Sequence, residues 1–127
     1  MEYATLIVLL ALLQYIWFTV RVGSNRGKYN VSAPACDGDE AWNRLNRVHQ
    51  NTLEQLMVMI PGTIAFAYYV SGTWVVAVGG AFIIGRFIYS AAYLKDPKKR
   101  APGMMITMLA NVVLVLGSII ALLMNMF

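Results

Sequence analysis

A chain of 127 residues has room for one domain, and a composition that is 59% hydrophobic and only 13% charged lies outside the range of soluble globular proteins. The sequence therefore predicts lipid as its solvent and an all-α integral membrane fold, a bundle of four transmembrane helices forming a single domain over residues 1–127. A net charge of +4 would suit nucleic acid or an anionic surface, but the positions of the charges point to membrane topology instead, and no nucleic-acid partner is expected.

The first span is expected over about residues 3–21, with Gln14 as its one strongly polar interior residue and Arg21 followed by the turn signal Gly23-Ser24-Asn25 at its end. The start Met1-Glu2 lacks a basic n-region and the apolar run is too long for a secretory signal, so this segment is expected to be a retained first helix. From Gly23 to about Ala41 the composition turns polar, which predicts a loop with only local order. Its Cys36 is the only cysteine, so no disulfide framework is expected and the thiol reads as an incidental loop residue.

The second helix is expected to begin near Glu40 to Asn43, where acidic residues suit a helix N-terminus, and its span to cover about residues 43–70. Only Leu56 to Val70 is convincingly apolar, about 22 Å of helix against a hydrocarbon core about 30 Å thick, so the polar half is predicted to enter the membrane. Pro61-Gly62 predicts a freed backbone carbonyl and a kink, repaired by a neighbouring helix or by Thr63. The third span, about residues 74–94, carries Gly79-Gly80-Ala81 and Gly85, small residues that let another backbone approach. The basic, proline-bounded stretch Lys95 to Gly103 then leads into a last span over about residues 104–126.

All ten Lys and Arg fall in two windows. Arg21, Arg26, Lys28, Arg44 and Arg47 surround the connection between spans one and two, and Arg86, Lys95, Lys98, Lys99 and Arg100 surround that between spans three and four. The positive-inside rule puts both connections in the cytoplasm and both termini on the opposite side.

Arg44, Arg47, Asn51 and Glu54 recur at helical spacing and fall on a stripe about 80° wide along one side of the second helix. Such a stripe can meet one ligand. An ionised residue at a helix centre costs about 2.5 to 3.5 kcal/mol, so Glu54 is expected to face a hydrated cavity or a cation. The alternative is a decorated helix entrance in which Arg47 and Glu54 form a structural pair. A second stripe, Arg86, Tyr89 and Tyr93, lies on the third helix, with Arg86 either touching the ligand or serving as counter-ion to Glu54, and the tyrosines either lining the site or anchoring at the membrane interface. His49 has no second His or Cys at metal-ligand spacing, so no metal is expected; it points roughly opposite Arg44, which suits a subunit contact.

The stretch Arg47-Val48-His49-Gln50-Asn51-Thr52-Leu53-Glu54-Gln55, with Arg44 before it, resembles the Arg-x-x-Arg-x-x-x-Asn-x-x-Glu signature of the MAPEG family, the membrane-associated proteins in eicosanoid and glutathione metabolism. Gly85-Arg86, Tyr89, Tyr93 and Pro97-Lys98-Lys99-Arg100 are similar to the third-helix segment of its microsomal glutathione S-transferase branch. The resemblance implies a homotrimer with glutathione, as co-substrate, held between subunits near the cytoplasmic face. It implies that Arg47 and Asn51 hold carboxylate or peptide groups of glutathione and Glu54 its amine. Arg44, Arg86, Tyr89 and Tyr93 would complete the pocket, with His49 in its wall and Arg21 reaching in from the adjacent subunit.

The resemblance also implies a glutathione transferase with peroxidase capacity, acting on lipophilic electrophiles or lipid hydroperoxides that arrive through the bilayer. Its central task is to make a thiolate: lowering a thiol pKa of about 8.5 by ~2 units takes about 2.7 kcal/mol of preferential stabilisation. One arginine can supply this, since unit charges about 4 Å apart interact by roughly 4 kcal/mol at an effective dielectric of 20. Arg100, seven residues after Tyr93, matches the thiol-activating arginine of part of the family, with Tyr93 assisting; other members place it two residues later, where Pro102 stands here. Arg100 reads alternatively as a membrane-interface anchor beside Lys98 and Lys99. The rival functions are a non-catalytic lipid-binding or scaffold protein of the same fold and a small drug exporter; the exporter calls for an acidic residue deep in the first span, which has none after Glu2.

Overall fold

The computed structural model describes all 127 residues, folded as α1 (Glu2–Ser24), α2 (Glu40–Tyr69), α3 (Trp74–Lys95), a short 3-10 turn (Pro97–Lys99) and α4 (Ala101–Met126). Each boundary has a local cause. The Asn25 side chain donates to the Arg21 carbonyl at 2.7 Å and closes α1. Asp39 caps α2 by accepting from the Ala41 N–H at 2.9 Å. The Ser71 hydroxyl oxygen accepts from the N–H groups of Thr73 and Trp74 at the start of α3. The last helix starts at Ala101, earlier than the expected Met104, because Pro102 sits in its first turn, where a missing N–H forfeits no helical hydrogen bond.

Three helical segments are long and apolar enough to cross a membrane: α1, α3, and α4 together with the turn before it. The 30 residues of α2 are long enough, but its N-terminal half is too polar to join them. In the bundle α2 and α3 form a central pair, each packed on both α1 and α4, while α1 and α4 hardly touch. Close approach rests on small residues: a methyl on Gly79 would strike Ile7 of α1, and one on Gly103 would strike the backbone of Tyr89. Gly80, by contrast, faces open space, so only part of the small-residue stretch is used for packing.

Three apolar clusters stack along the bundle. One, including Ala4, Ile7, Met59, Phe66, Val75, Phe82 and Leu114, fills the end that holds the chain termini. Phe18, Val48 and Tyr89 occupy the middle, with Tyr93 and Met104 against them. Val22, Val31, Trp42 and Leu45 close the basic end. That last cluster ties down the α1–α2 connection more firmly than its polar composition suggests. Val31 folds inward, and the Trp42 indole N–H donates to the Val22 carbonyl at 3.1 Å. Arg26 lies over the Trp42 ring and donates to the Ala35 carbonyl. Pro61 is accommodated within a continuous α2, but the Thr63 hydroxyl is buried without a partner, so Thr63 does not take up the carbonyl that proline frees.

Candidate functional site

The helical register of α2 sets Arg47, Asn51 and Glu54 on one side, and the structure joins them: Arg47 Nη1 donates to Glu54 Oε1 and Asn51 Nδ2 to Glu54 Oε2, each at 3.5 Å. Both charged side chains are about half exposed, so their mutual attraction is worth about 0 to 1 kcal/mol and leaves them available to a ligand. Asn51 is buried beneath them. Behind it lies Arg86 of α3, the only charged side chain in the chain's interior and fully enclosed.

The expected alternative of an Arg86–Glu54 ion pair is not formed. Arg86 Nη1 instead donates to Asn51 Oδ1 at 2.6 Å and lies 3.5 Å from Thr52 Oγ1, while its Nε donates to Thr107 Oγ1 of α4 at 3.1 Å. Its guanidinium carbon sits 4.4 Å from the centre of the Tyr89 ring. Neutral oxygens and a π face thus replace a carboxylate around this buried cation, which an unpaired buried charge requires if it is not to cost several kcal/mol. The consequence is a positive charge that no neighbouring anion cancels.

Tyr89 stacks on Tyr93, with ring centres 5.5 Å apart. Tyr93 is only partly covered, whereas Tyr89 is buried. Arg100 is exposed at the N-cap of α4 and makes no side-chain hydrogen bond. Met104, one turn further along α4, packs with Tyr93 on the cluster of Phe18, Val48 and Tyr89.

Three other candidates are already engaged. Arg44 donates to the Leu94 and Lys95 carbonyls at the end of α3 and pairs with Glu40 at 2.8 Å. Arg21 donates to Ser90 Oγ at 2.8 Å. His49 stacks on Tyr15 and shares a hydrogen bond with Thr19 Oγ1 at 3.0 Å, which holds it against α1, away from Asn51 and Glu54. The structure therefore assembles Arg47, Asn51, Glu54, Arg86, Tyr89 and Tyr93 into one contiguous set and leaves Arg21, Arg44 and His49 at its margins.

Sequence reasoning missed Thr107 and Asn111. Asn111 Nδ2 donates to Gln55 Oε1 at 3.0 Å, tying α4 to α2 at the residue next to Glu54. The signal was present: Thr107, Asn111 and Ser118 share one face of an otherwise apolar helix, and all three are buried. Surface grooves lie over Pro61, Tyr68 and Tyr69 and between α2 and α4 beside Gln55 and Asn111. In a single chain the charged stripe is an open face.

Three helical segments of membrane-spanning length and apolarity, with a polar stripe on α2 set beside the buried Arg86, describe an all-helical membrane protein. The chain belongs to the MAPEG family, whose family model matches residues 4–120. It is 36% identical over 118 residues to an uncharacterized protein of Synechocystis sp., a match covering 93% of this chain and 86% of that protein. It is 34% identical over 79 residues to a probable microsomal glutathione S-transferase of Dictyostelium discoideum, covering 62% of this chain and 53% of the relative. With microsomal glutathione S-transferase 2 of Homo sapiens it shares 30% identity over 95 residues, 75% of this chain and 65% of the human protein. The chain thus spans between half and two thirds of the length of these two named transferases.

Proposed function

We propose that the protein is a one-domain, four-span membrane glutathione transferase, with peroxidase capacity, that binds glutathione at the cytoplasmic face of a homotrimer. The observation that carries this is the joined set Arg47–Asn51–Glu54 on α2 with the uncancelled charge of Arg86 behind it, in a chain of the MAPEG family. Glutathione bears two carboxylates and one ammonium. Arg47 and Asn51 offer N–H donors to the carboxylate or peptide oxygens, and Glu54 offers a carboxylate to the ammonium. The open stripe supports a site completed by a neighbouring subunit, to which Arg21, Arg44 and His49 contribute from their places at its margin.

Arg100 is the proposed thiolate-stabilising residue, assisted by Tyr93. The thiolate attacks an electrophilic carbon, forming a C–S bond as a leaving group departs with its electron pair or as an activated double bond opens and takes up a proton. Alternatively it attacks the outer oxygen of a lipid hydroperoxide, breaking the O–O bond to release, on protonation, an alcohol and leave the sulfur as a sulfenic acid, which a second thiol converts to a disulfide and water. The lipophilic reactant enters from the bilayer. No metal takes part in these steps.

Glutathione should raise the melting temperature of the detergent-purified protein, because a ligand at 100 times its Kd adds about 2.7 kcal/mol. Arg47→Ala and Glu54→Ala should each remove that rise while leaving the ligand-free melting temperature nearly unchanged. A rise that survives both substitutions places glutathione elsewhere. Stabilisation without turnover of any electrophile or hydroperoxide would instead make the protein a non-catalytic binding or scaffold member of the family.

A further inference from the structure

We propose that Thr107 of α4 is a positioning residue for the glutathione site: through Arg86 it fixes the Asn51 amide so that the nitrogen, and not the oxygen, faces the ligand. The proposal rests on the glutathione site described above and adds a third helix to it.

A guanidinium carries only N–H donors. With Arg86 Nη1 at 2.6 Å, the facing atom of Asn51 has to be its carbonyl oxygen, since the reversed amide would set N–H against N–H. The Asn51 amide is planar, so its nitrogen is then turned outward, where it reaches Glu54 Oε2 at 3.5 Å.

The orientation of Asn51 is therefore as secure as that of the Arg86 guanidinium, and two threonines hold it. Thr107 donates its own hydrogen to the Gly103 carbonyl at 2.9 Å, and Thr52 donates to the Val48 carbonyl at 2.7 Å. With their hydrogens committed one turn back along their helices, both hydroxyls present lone pairs to Arg86. Thr107 Oγ1 makes the shorter contact and takes Nε, the atom that sets the direction of the guanidinium plane. The close approach of Gly103 to the Tyr89 backbone brings this turn of α4 within reach. Thr107 and Arg86 are fully enclosed, so water does not compete for the bond between them, while Asn51 lies at the edge of the enclosed region beside the half-exposed Glu54.

An Asn51 locked in this way is a donor to the ligand and selects an acceptor there, a carboxylate or peptide carbonyl oxygen. The site discriminates in favour of peptidic thiols and against a thiol that brings an N–H to the same position.

The test compares glutathione affinity and melting temperature of the purified full-length protein with those of three variants. Thr107→Val keeps the shape of the side chain and removes the acceptor; it should weaken glutathione binding about tenfold or more, raising KM more than it lowers kcat. Thr107→Ser restores the hydroxyl and should recover most of that affinity. Asn51→Asp keeps a partner for Arg86, so the protein should fold even if Thr107→Val does not, yet it presents no outward N–H and should lose glutathione affinity by at least about tenfold. Native affinity in Thr107→Val, equal losses in the valine and serine variants, or native affinity in Asn51→Asp would each overturn the proposal. Arg47→Ala and Glu54→Ala run in parallel separate two failures: if both bind glutathione normally, the site itself is wrong, whereas if both lose it and Thr107→Val does not, only the link through α4 is wrong.

Discussion

Arg100 is the one candidate arginine whose side chain has no hydrogen-bond partner within the chain, and it lies one helical turn before Met104, which packs beside Tyr89. A free cation there can spend its charge on a thiolate. Arg100→Ala should leave glutathione-dependent stabilisation largely in place but lower turnover near neutral pH on the order of tenfold or more. The sign with pH follows from the proposed role: if Arg100 lowers the thiol pKa, the variant's activity should climb with pH towards the free thiol value of about 8.5, and the native protein's should level off earlier. A native pH profile in Arg100→Ala would reassign it as a membrane-interface anchor. The α2 and α3 stripes were legible because three- and four-residue spacing fixes a helix face. Which face meets which was not, since rotation of one helix about its axis leaves no trace in spacing. The pairing of Arg86 with Asn51 in place of Glu54 is a fact of helix rotation, and Thr107 is hard to read because a threonine in a spanning helix can be satisfied by its own backbone one turn back, so the helix it meets leaves no mark in the sequence.

The α3–α4 seam is where the site's geometry is most exposed to mutation. Gly103→Ala drives a methyl into the Tyr89 backbone, which cannot rotate away as a side chain end could, and overpacking of this kind costs about 1 to 3 kcal/mol. Gly80→Ala adds a methyl in open space within a helix and should be neutral or stabilising by up to about 1 kcal/mol. Melting temperatures of the two variants in detergent should therefore move apart, and equal shifts would contradict the packing. Gly79 and Gly85 were identifiable as close-approach positions, but Gly103 was read as part of a turn, because Pro97 and Pro102 look alike in sequence. One is the first residue of the 3-10 turn and the other lies in the first turn of α4.

For the molecule as a whole, composition and the four periodic segments gave the all-helical architecture directly, and the polar start of α2 explains why only three segments are apolar enough to cross a membrane on their own. Orientation can be read with the chain's own reporter. Cys36 is the only cysteine and is exposed in the α1–α2 connection. In sealed vesicles a membrane-impermeant maleimide should label it only from the cytoplasmic side; labelling from the opposite side would invert the proposed topology. The connection that carries it was more ordered than its polar run suggested, because Val31 and Trp42 are isolated apolar residues whose burial only a tertiary contact reveals. A last consequence concerns motion. Arg44 fastens the first turns of α2 to the final carbonyls of α3, which holds these two helices together at the basic end. Because α4 is packed on α2 and α3 more extensively than α1 is, α1, which scarcely meets α4, is the part left to swing, and under the proposed function a reactant arriving from the bilayer should be admitted by its breathing rather than by any parting of the other three helices.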